Sequence, residues 1–170
     1  MTKAPIAVAL DAPDLATARS WAQAVGPHVQ VVKVGLEVFL RDGHESVKVA
    51  SEASGCDIFL DLKLHDIPAT VGGAARSVAS LSPKFLTVHA SGGADMIKAA
   101  VDALPETQVT AVTILTSLSQ QQLIDMGWSG SAQDIVRRLA SGAVAAGARA
   151  IVCSPQEVAA VRAEVGEGIT

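Results

Sequence analysis

The chain has 170 residues, of which 49% are hydrophobic and 18% charged, enough for one domain spanning residues 1–170 with a substantial core. A net charge of −4 without a basic run argues against nucleic acid or an anionic membrane surface as partner, and 3% aromatics leave little surface on which bases could stack. No apolar run approaches the ~18 residues of a membrane span, and Cys56 and Cys153 have neither CxxC spacing nor a nearby histidine at metal-ligand spacing, so a cytoplasmic protein with two free thiols is expected.

Six apolar runs read as buried strands, at residues 6–10, 29–34, 58–62, 85–88, 109–115 and 150–153. The first follows Lys3 and has the look of a short signal segment, but it ends at Asp11 and Pro13 and reads equally well as a strand. Asp14 can cap a helix running to Val25, with Leu15, Ala18 and Ala22 on one stripe and Gly26-Pro27 as its stop. Residues 37–54 hold a second helix, broken near Gly43. Pro68 suits the first turn of a third, which ends near Leu81 ahead of Pro83. Gly92-Gly93 introduces a fourth, up to Leu104-Pro105, either as an anion cradle or as a close turn. Ser119 caps a short fifth segment that residues 132–146 continue until Gly147, and Pro155 opens a sixth.

The strand ends recur at intervals of 24 to 28 residues, with a last interval of 38 that has room for an additional helix. Such a βα repeat predicts an α/β fold of parallel strands joined by helices. Six units fall short of the eight that close a (β/α)8 barrel, and on length alone a smaller open sheet competes with it. The barrel reading implies a domain incomplete at its C-terminal end, since Gly168-Ile169-Thr170 lie about where a seventh strand would begin.

The stretch 58–68 concentrates the chemistry. In a regular strand Asp61 and Lys63 point to one face and Leu60, Leu62 and Leu64 to the other. Charges in so apolar a run cost several kcal/mol unless paired or facing water, so a structural ion pair is the plain explanation. Asp66 adds a second carboxylate where the strand should end, and two carboxylates around one ammonium favour its charged form, which suits a proton donor. The polar residues of the whole sequence gather at the strand ends, where parallel α/β folds bind ligands. Asp11, Lys33, Asp61 and Lys63, at the ends of the first three strands, alternate in sign and predict an ionic network on one rim, with His89, Thr116, Ser117 and Ser154 at the later strand ends. His65 reads as a packing residue rather than a base.

Asp61-Leu62-Lys63 followed by His65-Asp66-Ile67-Pro68-Ala69-Thr70 resembles the signature of the orotidine 5′-monophosphate decarboxylase family, with Ala69 where the common form has Asn. Ala9-Leu10-Asp11, Val32-Lys33-Val34-Gly35, Val88-His89-Ala90-Ser91-Gly92-Gly93, Leu115-Thr116-Ser117 and Val152-Cys153-Ser154 extend the resemblance along the sequence in the expected order. It implies a (β/α)8 TIM-barrel type with about six of eight βα units here. It also implies decarboxylation of orotidine 5′-monophosphate to uridine 5′-monophosphate in de novo pyrimidine biosynthesis, with no metal and no organic cofactor. Lys63 would protonate C6, with Asp61 and Asp66 as the other catalytic residues. Asp11 and Lys33 would bind ribose hydroxyls, and Thr116 and Ser117 the pyrimidine. Asp66, Ile67 and Thr70 would enter a neighbouring subunit's site, which implies a homodimer; on the residues alone, Ile67 reads as a core contact and Thr70 as helix surface. The family grips phosphate after strands seven and eight, and no arginine within these residues takes that place.

Three alternatives stay open at this point. A related decarboxylase of sugar-acid phosphates shares the Asp-x-Lys pattern and uses Mg2+. Aldol chemistry would use Lys63 as a Schiff-base nucleophile, which needs a neutral amine. A catalytically silent fragment that assembles with another polypeptide is the third.

Overall fold

The computed structural model describes residues 2–170. Strands β1 (Ala4–Ala9), β2 (Val29–Gly35), β3 (Asp57–Leu64), β4 (Phe85–His89), β5 (Gln108–Val112) and β6 (Ala150–Val152) form one sheet in sequence order, and every neighbouring pair is parallel. Parallel neighbours need a crossover, and helices supply each one. They are α1 (Leu15–Val25), α2 (Leu36–Asp42), α3 (His44–Ser54), α4 (Pro68–Val78), α5 (Ala94–Ala103), α6 (Gln120–Asp125) and α7 (Ala132–Ala145), and α8 (Val158–Val165) follows β6. The result is six of the βα units of a (β/α)8 barrel, as the spacing and the resemblance led one to expect.

The sequence signals act locally as expected at most ends. Asp14 accepts a 2.7 Å hydrogen bond from the Thr17 amide and starts α1. Gly43, at φ +60°, breaks the second helical region into α2 and α3. Pro68 occupies the first turn of α4. Three boundaries differ. The fifth strand stops at Val112 rather than running to 115, because β6 is short and the Thr113 amide and hydroxyl both bond to the Val152 carbonyl, ending the ladder. Residues 132–146 do not continue the short helix before them. Gly127 and Gly130 both take positive φ, so the backbone turns and restarts, and α6 and α7 each carry their own capping box at Ser119–Gln122 and Ser131–Asp134. Pro155 sits in a turn that Glu157 closes by accepting from the Ser154 amide, and α8 begins only at Val158.

Small side chains let the helices lie close on the sheet. Val32, Val34, Leu60 and Leu86 pack against Ala22, Val47, Ala50 and Val78 in one cluster, and Val88, Val109 and Ala111 against Met96, Ile97 and Ala100 in a second. Each buried Leu, Ile or Val is worth about 1.5–3 kcal/mol of transfer free energy. Residues from both outer strands, Ile6 and Ala7 of β1 with Ile151 and Val152 of β6, line one cavity of about 250 Å3 together with Phe59 and Phe85 from the middle of the sheet. The sheet is therefore curled, with its two ends approaching each other. On the outer side of β6, the Ile151 amide donates to the Thr170 carbonyl at 2.9 Å and the Thr170 amide to the Arg149 carbonyl at 3.1 Å, the alternation of a parallel ladder. No helix among the described residues is long and apolar enough to cross a membrane.

Candidate active site

Four side chains meet where the first three strands end. Lys63 Nζ lies 2.8 Å from both carboxylate oxygens of Asp61. Lys33 Nζ lies 3.4 Å from Asp61 Oδ2 and 3.6 Å from Asp11 Oδ1. Charge thus alternates along an unbroken row, Asp11, Lys33, Asp61, Lys63. The β2–β3 register, which sets Gly35 beside Asp61, places the charges at one level. Gly35 itself makes room. A Cβ there would come within 2.9 Å of Asp11 Oδ1 and 3.2 Å of Lys33 Nζ, so any larger residue intrudes on the pair.

Asp61 is the buried member, and a buried carboxylate is tolerable only when paired and hydrogen-bonded. Burial pushes its carboxyl up, but the hydrogen bonds from Lys63 and Thr87 and the charges of Lys63 and Lys33 outweigh this, and its pKa falls below the usual carboxylate value. Lys63 is more open to solvent, so the buried Asp61 carboxylate holds an accessible ammonium at the end of the row.

The strand that carries Lys63 is not regular. Leu60 pairs with Leu86 and Leu64 with Val88, so three residues of β3 lie opposite the single residue Thr87 of β4. Within this bulge Lys63 has φ +52°, a conformation that costs a side-chain-bearing residue about 1–2 kcal/mol. The simple alternation that sets Asp61 and Lys63 on one face does not hold here; the bulge and the long lysine stem bring the two head groups together instead. The Lys63 amide donates to Thr87 Oγ1 at 2.8 Å, and that hydroxyl donates to Asp61 Oδ1 at 2.9 Å.

The second carboxylate stands apart. Asp66 does not bracket Lys63 within this chain: the backbone leaves the sheet after Leu64 and enters α4 at Pro68, and the Asp66 carboxylate accepts from the Ile67 amide at 2.6 Å instead. Ile67 is 65% exposed, so it is no core contact, and Thr70 stands exposed one turn further on. Thr116 and Ser117 are exposed in the loop between β5 and α6. His89 and His65 approach at 5.2 Å between ring centroids. Burial, then the neighbouring His65 and Lys63, push His89 below its ordinary pKa, with Asp61 opposing. Gly92 serves close packing: a Cβ there would meet Met96 Sδ and, at 3.2 Å, the His65 ring. Among the described residues no three histidine, cysteine or acidic side chains gather at metal-binding spacing. Thr87 and Gly35 are the site residues that sequence reasoning missed. Gly35 is visible there only as part of a motif, and nothing in a lone strand threonine marks Thr87.

Residues 4–170 match the model of the Orotidine 5'-phosphate decarboxylase / HUMPS family. The protein belongs to this family. Its relatives include the orotidine 5'-phosphate decarboxylase of Thermobifida fusca strain YX, 65% identical over 167 residues that cover 98% of this sequence and 72% of that protein. The orotidine 5'-phosphate decarboxylase of Frankia casuarinae is 51% identical, with 99% and 68% covered. The crystal structure of orotidine 5'-phosphate decarboxylase from Lactobacillus acidophilus superposes with a TM-score of 0.86 at 35% identity, over 97% of this sequence and 78% of that one. Family membership and backbone agree on the barrel type.

The crowding at Gly35 and the depressed His89 each lead to a measurable outcome. Gly35→Ala should drive Asp11 away from Lys33, seen in a crystal structure of the variant as a separation beyond the ~4 Å of an ion pair, with the thermal midpoint lowered by no more than about 2–4 °C. Retention of the pair would show that the glycine is not needed for it. His89 is held below its ordinary value of 6.5, so the unfolded state takes up a proton first as pH falls. Its contribution therefore erodes stability from about pH 6.5 downward until the folded-state group also protonates. His89→Gln should flatten the fall of the urea midpoint between about pH 7 and 5; an unchanged slope would contradict this.

Proposed function

We propose that this protein converts orotidine 5′-monophosphate to uridine 5′-monophosphate and CO2, a step of de novo pyrimidine biosynthesis, with Lys63 as the proton donor. The observation that carries the reading is the Lys63 ammonium set 2.8 Å from both Asp61 oxygens at the carboxyl end of the sheet. Breaking the C6–carboxylate bond leaves an electron pair in the plane of the pyrimidine, which no adjacent carbonyl can delocalise. A fixed cation at that carbon stabilises the developing charge. One N–H bond of Lys63 then breaks as the C6–H bond forms, and the lysine regains its proton from solvent. Asp61 would lie near the substrate carboxylate and disfavour the ground state, an effect ranked below positioning and electrostatics. Asp11 and Lys33 bind ribose hydroxyls, and Thr116 and Ser117 offer hydroxyls and backbone groups to the pyrimidine.

No step calls for a metal or organic cofactor. Both Asp61 oxygens are engaged by ammonium and hydroxyl donors, whereas a Mg2+-dependent sugar-acid-phosphate reaction would want them free. An ion-paired Lys63 also suits proton donation better than Schiff-base chemistry. The nucleotide is the small-molecule partner, and neither nucleic acid nor membrane is required. The protein acts in the cytoplasm as a homodimer, in which Asp66, Ile67 and Thr70 reach the site of the second copy. The exposed Ile67 beside two exposed polar residues supports that arrangement.

Lys63→Ala should lower kcat by about 10²–10⁴-fold or more with the circular dichroism spectrum unchanged, and Lys63→Arg should fail likewise because guanidinium does not release its proton. Loss of orotidine 5′-monophosphate absorbance measures both, and retention of more than about a hundredth of the rate refutes the assignment. For the shared site, mixing inactive Lys63→Ala and Asp66→Ala proteins should restore activity, since a heterodimer can hold one intact centre. A mixture that stays inactive while subunits demonstrably exchange rules out sharing.

A further inference from the structure

We infer that Thr87 is a positioning residue for the decarboxylation: its one hydroxyl fixes both the Asp61 carboxylate and the left-handed backbone of Lys63. The inference rests on the reading of Lys63 as proton donor. Thr87 is fully buried and touches the reaction only through these two neighbours. By alternation along β4 its side chain shares a face with Phe85 and His89, while Leu86 and Val88 enter the apolar clusters.

The bulge in β3 is what makes the hydroxyl necessary. Three residues opposite one leave the Lys63 amide without a carbonyl at the normal ladder position, and Thr87 Oγ1 accepts from it at 2.8 Å. An oxygen that accepts from an amide still has its own proton to give, and Thr87 gives it to Asp61 Oδ1 at 2.9 Å. The carboxylate is then held at three points. Lys63 Nζ reaches both oxygens, Lys33 stands on the Oδ2 side and Thr87 on the Oδ1 side. Free rotation of Asp61 would carry Lys63 Nζ with it, and the proton must be delivered to one carbon atom in one direction. The cost of the unfavourable φ at Lys63 is offset by the same hydroxyl, so backbone strain and head-group placement have a common support. Removing the hydroxyl takes away a hydrogen bond that lowers the Asp61 pKa.

Thr87→Val keeps the shape and removes the hydroxyl, and Thr87→Ser keeps the hydroxyl. In 13C-NMR titrations Thr87→Val should move the Asp61 carboxyl upward and shift the Lys63 Cα and Cβ resonances away from left-handed values, while Thr87→Ser leaves both in place. Turnover of orotidine 5′-monophosphate should show kcat lowered about 10–100-fold in Thr87→Val with KM changed less than about threefold, and nearly restored in Thr87→Ser. Equal losses in the two variants would mean that volume matters and the hydroxyl does not, which overturns the inference. So would wild-type kcat and an unmoved Asp61 in Thr87→Val. If Thr87→Val does not fold, Thr87→Cys, with a far weaker hydrogen-bonding group, undergoes the same measurements. The two readings separate cleanly. An active Lys63→Ala protein defeats the proton-donor assignment, whereas a dead Lys63→Ala beside a fully active Thr87→Val defeats the role of Thr87 alone.

Discussion

A carboxylate buried at the end of a parallel strand has to be neutralised where it stands, and the arrangement around Asp61 satisfies that demand. Lys63 reaches both of its oxygens and Lys33 one, Asp11 balances Lys33, and Thr87 contributes a neutral donor. Leaving either ammonium out would weaken the compensation of a buried carboxylate, which then rests on the other ammonium and on Thr87. The same constraint that stabilises the fold thus delivers an ammonium, aimed and partly accessible, to the rim where substrates of parallel α/β proteins bind. A structural account of the Asp61–Lys63 pair therefore does not compete with the catalytic role proposed for it.

The rest of the fold serves to hold that rim level. After a register shift between Ala4 and Ala7, β1 pairs in step with β2, and β2 with β3, which sets the ends of three strands side by side, and small residues under them let the helices approach closely. Where the ladder slips, between β3 and β4, the irregularity is local and used: it turns Lys63 into the left-handed region and exposes its amide to a side-chain acceptor. Gly35 completes the arrangement from the opposite side, since only a residue without Cβ leaves the Asp11–Lys33 pair its space.

The remaining candidate residues are exposed, on the connections that follow β3 and β5. Asp66, Ile67 and Thr70 lie on the turn into α4 and its first residues, and Thr116 and Ser117 lie on the β5–α6 loop. The exposed isoleucine next to an exposed carboxylate is the surface feature on which the proposed sharing of sites rests. The family relationship sets the reaction class, while the geometry within the chain accounts for its charged core.

Much of this is readable along the sequence itself. Hydrophobic runs at a near-constant interval determine the βα order, and Asp14, Gly43, Pro68 and Ser119 punctuate it through hydrogen bonds and backbone angles that involve only near neighbours. Charges at the ends of apolar runs pick out Asp11, Lys33, Asp61 and Lys63, because an ionised group in such a run has few reasons to be there. What tertiary structure alone decided involves partners distant in sequence. Thr87 matters only because β3 slips against β4, Gly35 only because Asp11 and Lys33 converge above it, and the outward course of Asp66 depends on where α4 leaves the sheet. A neutral hydroxyl or a missing Cβ carries no periodicity and no charge to betray it; its function is set by what the fold brings within about 3 Å of it.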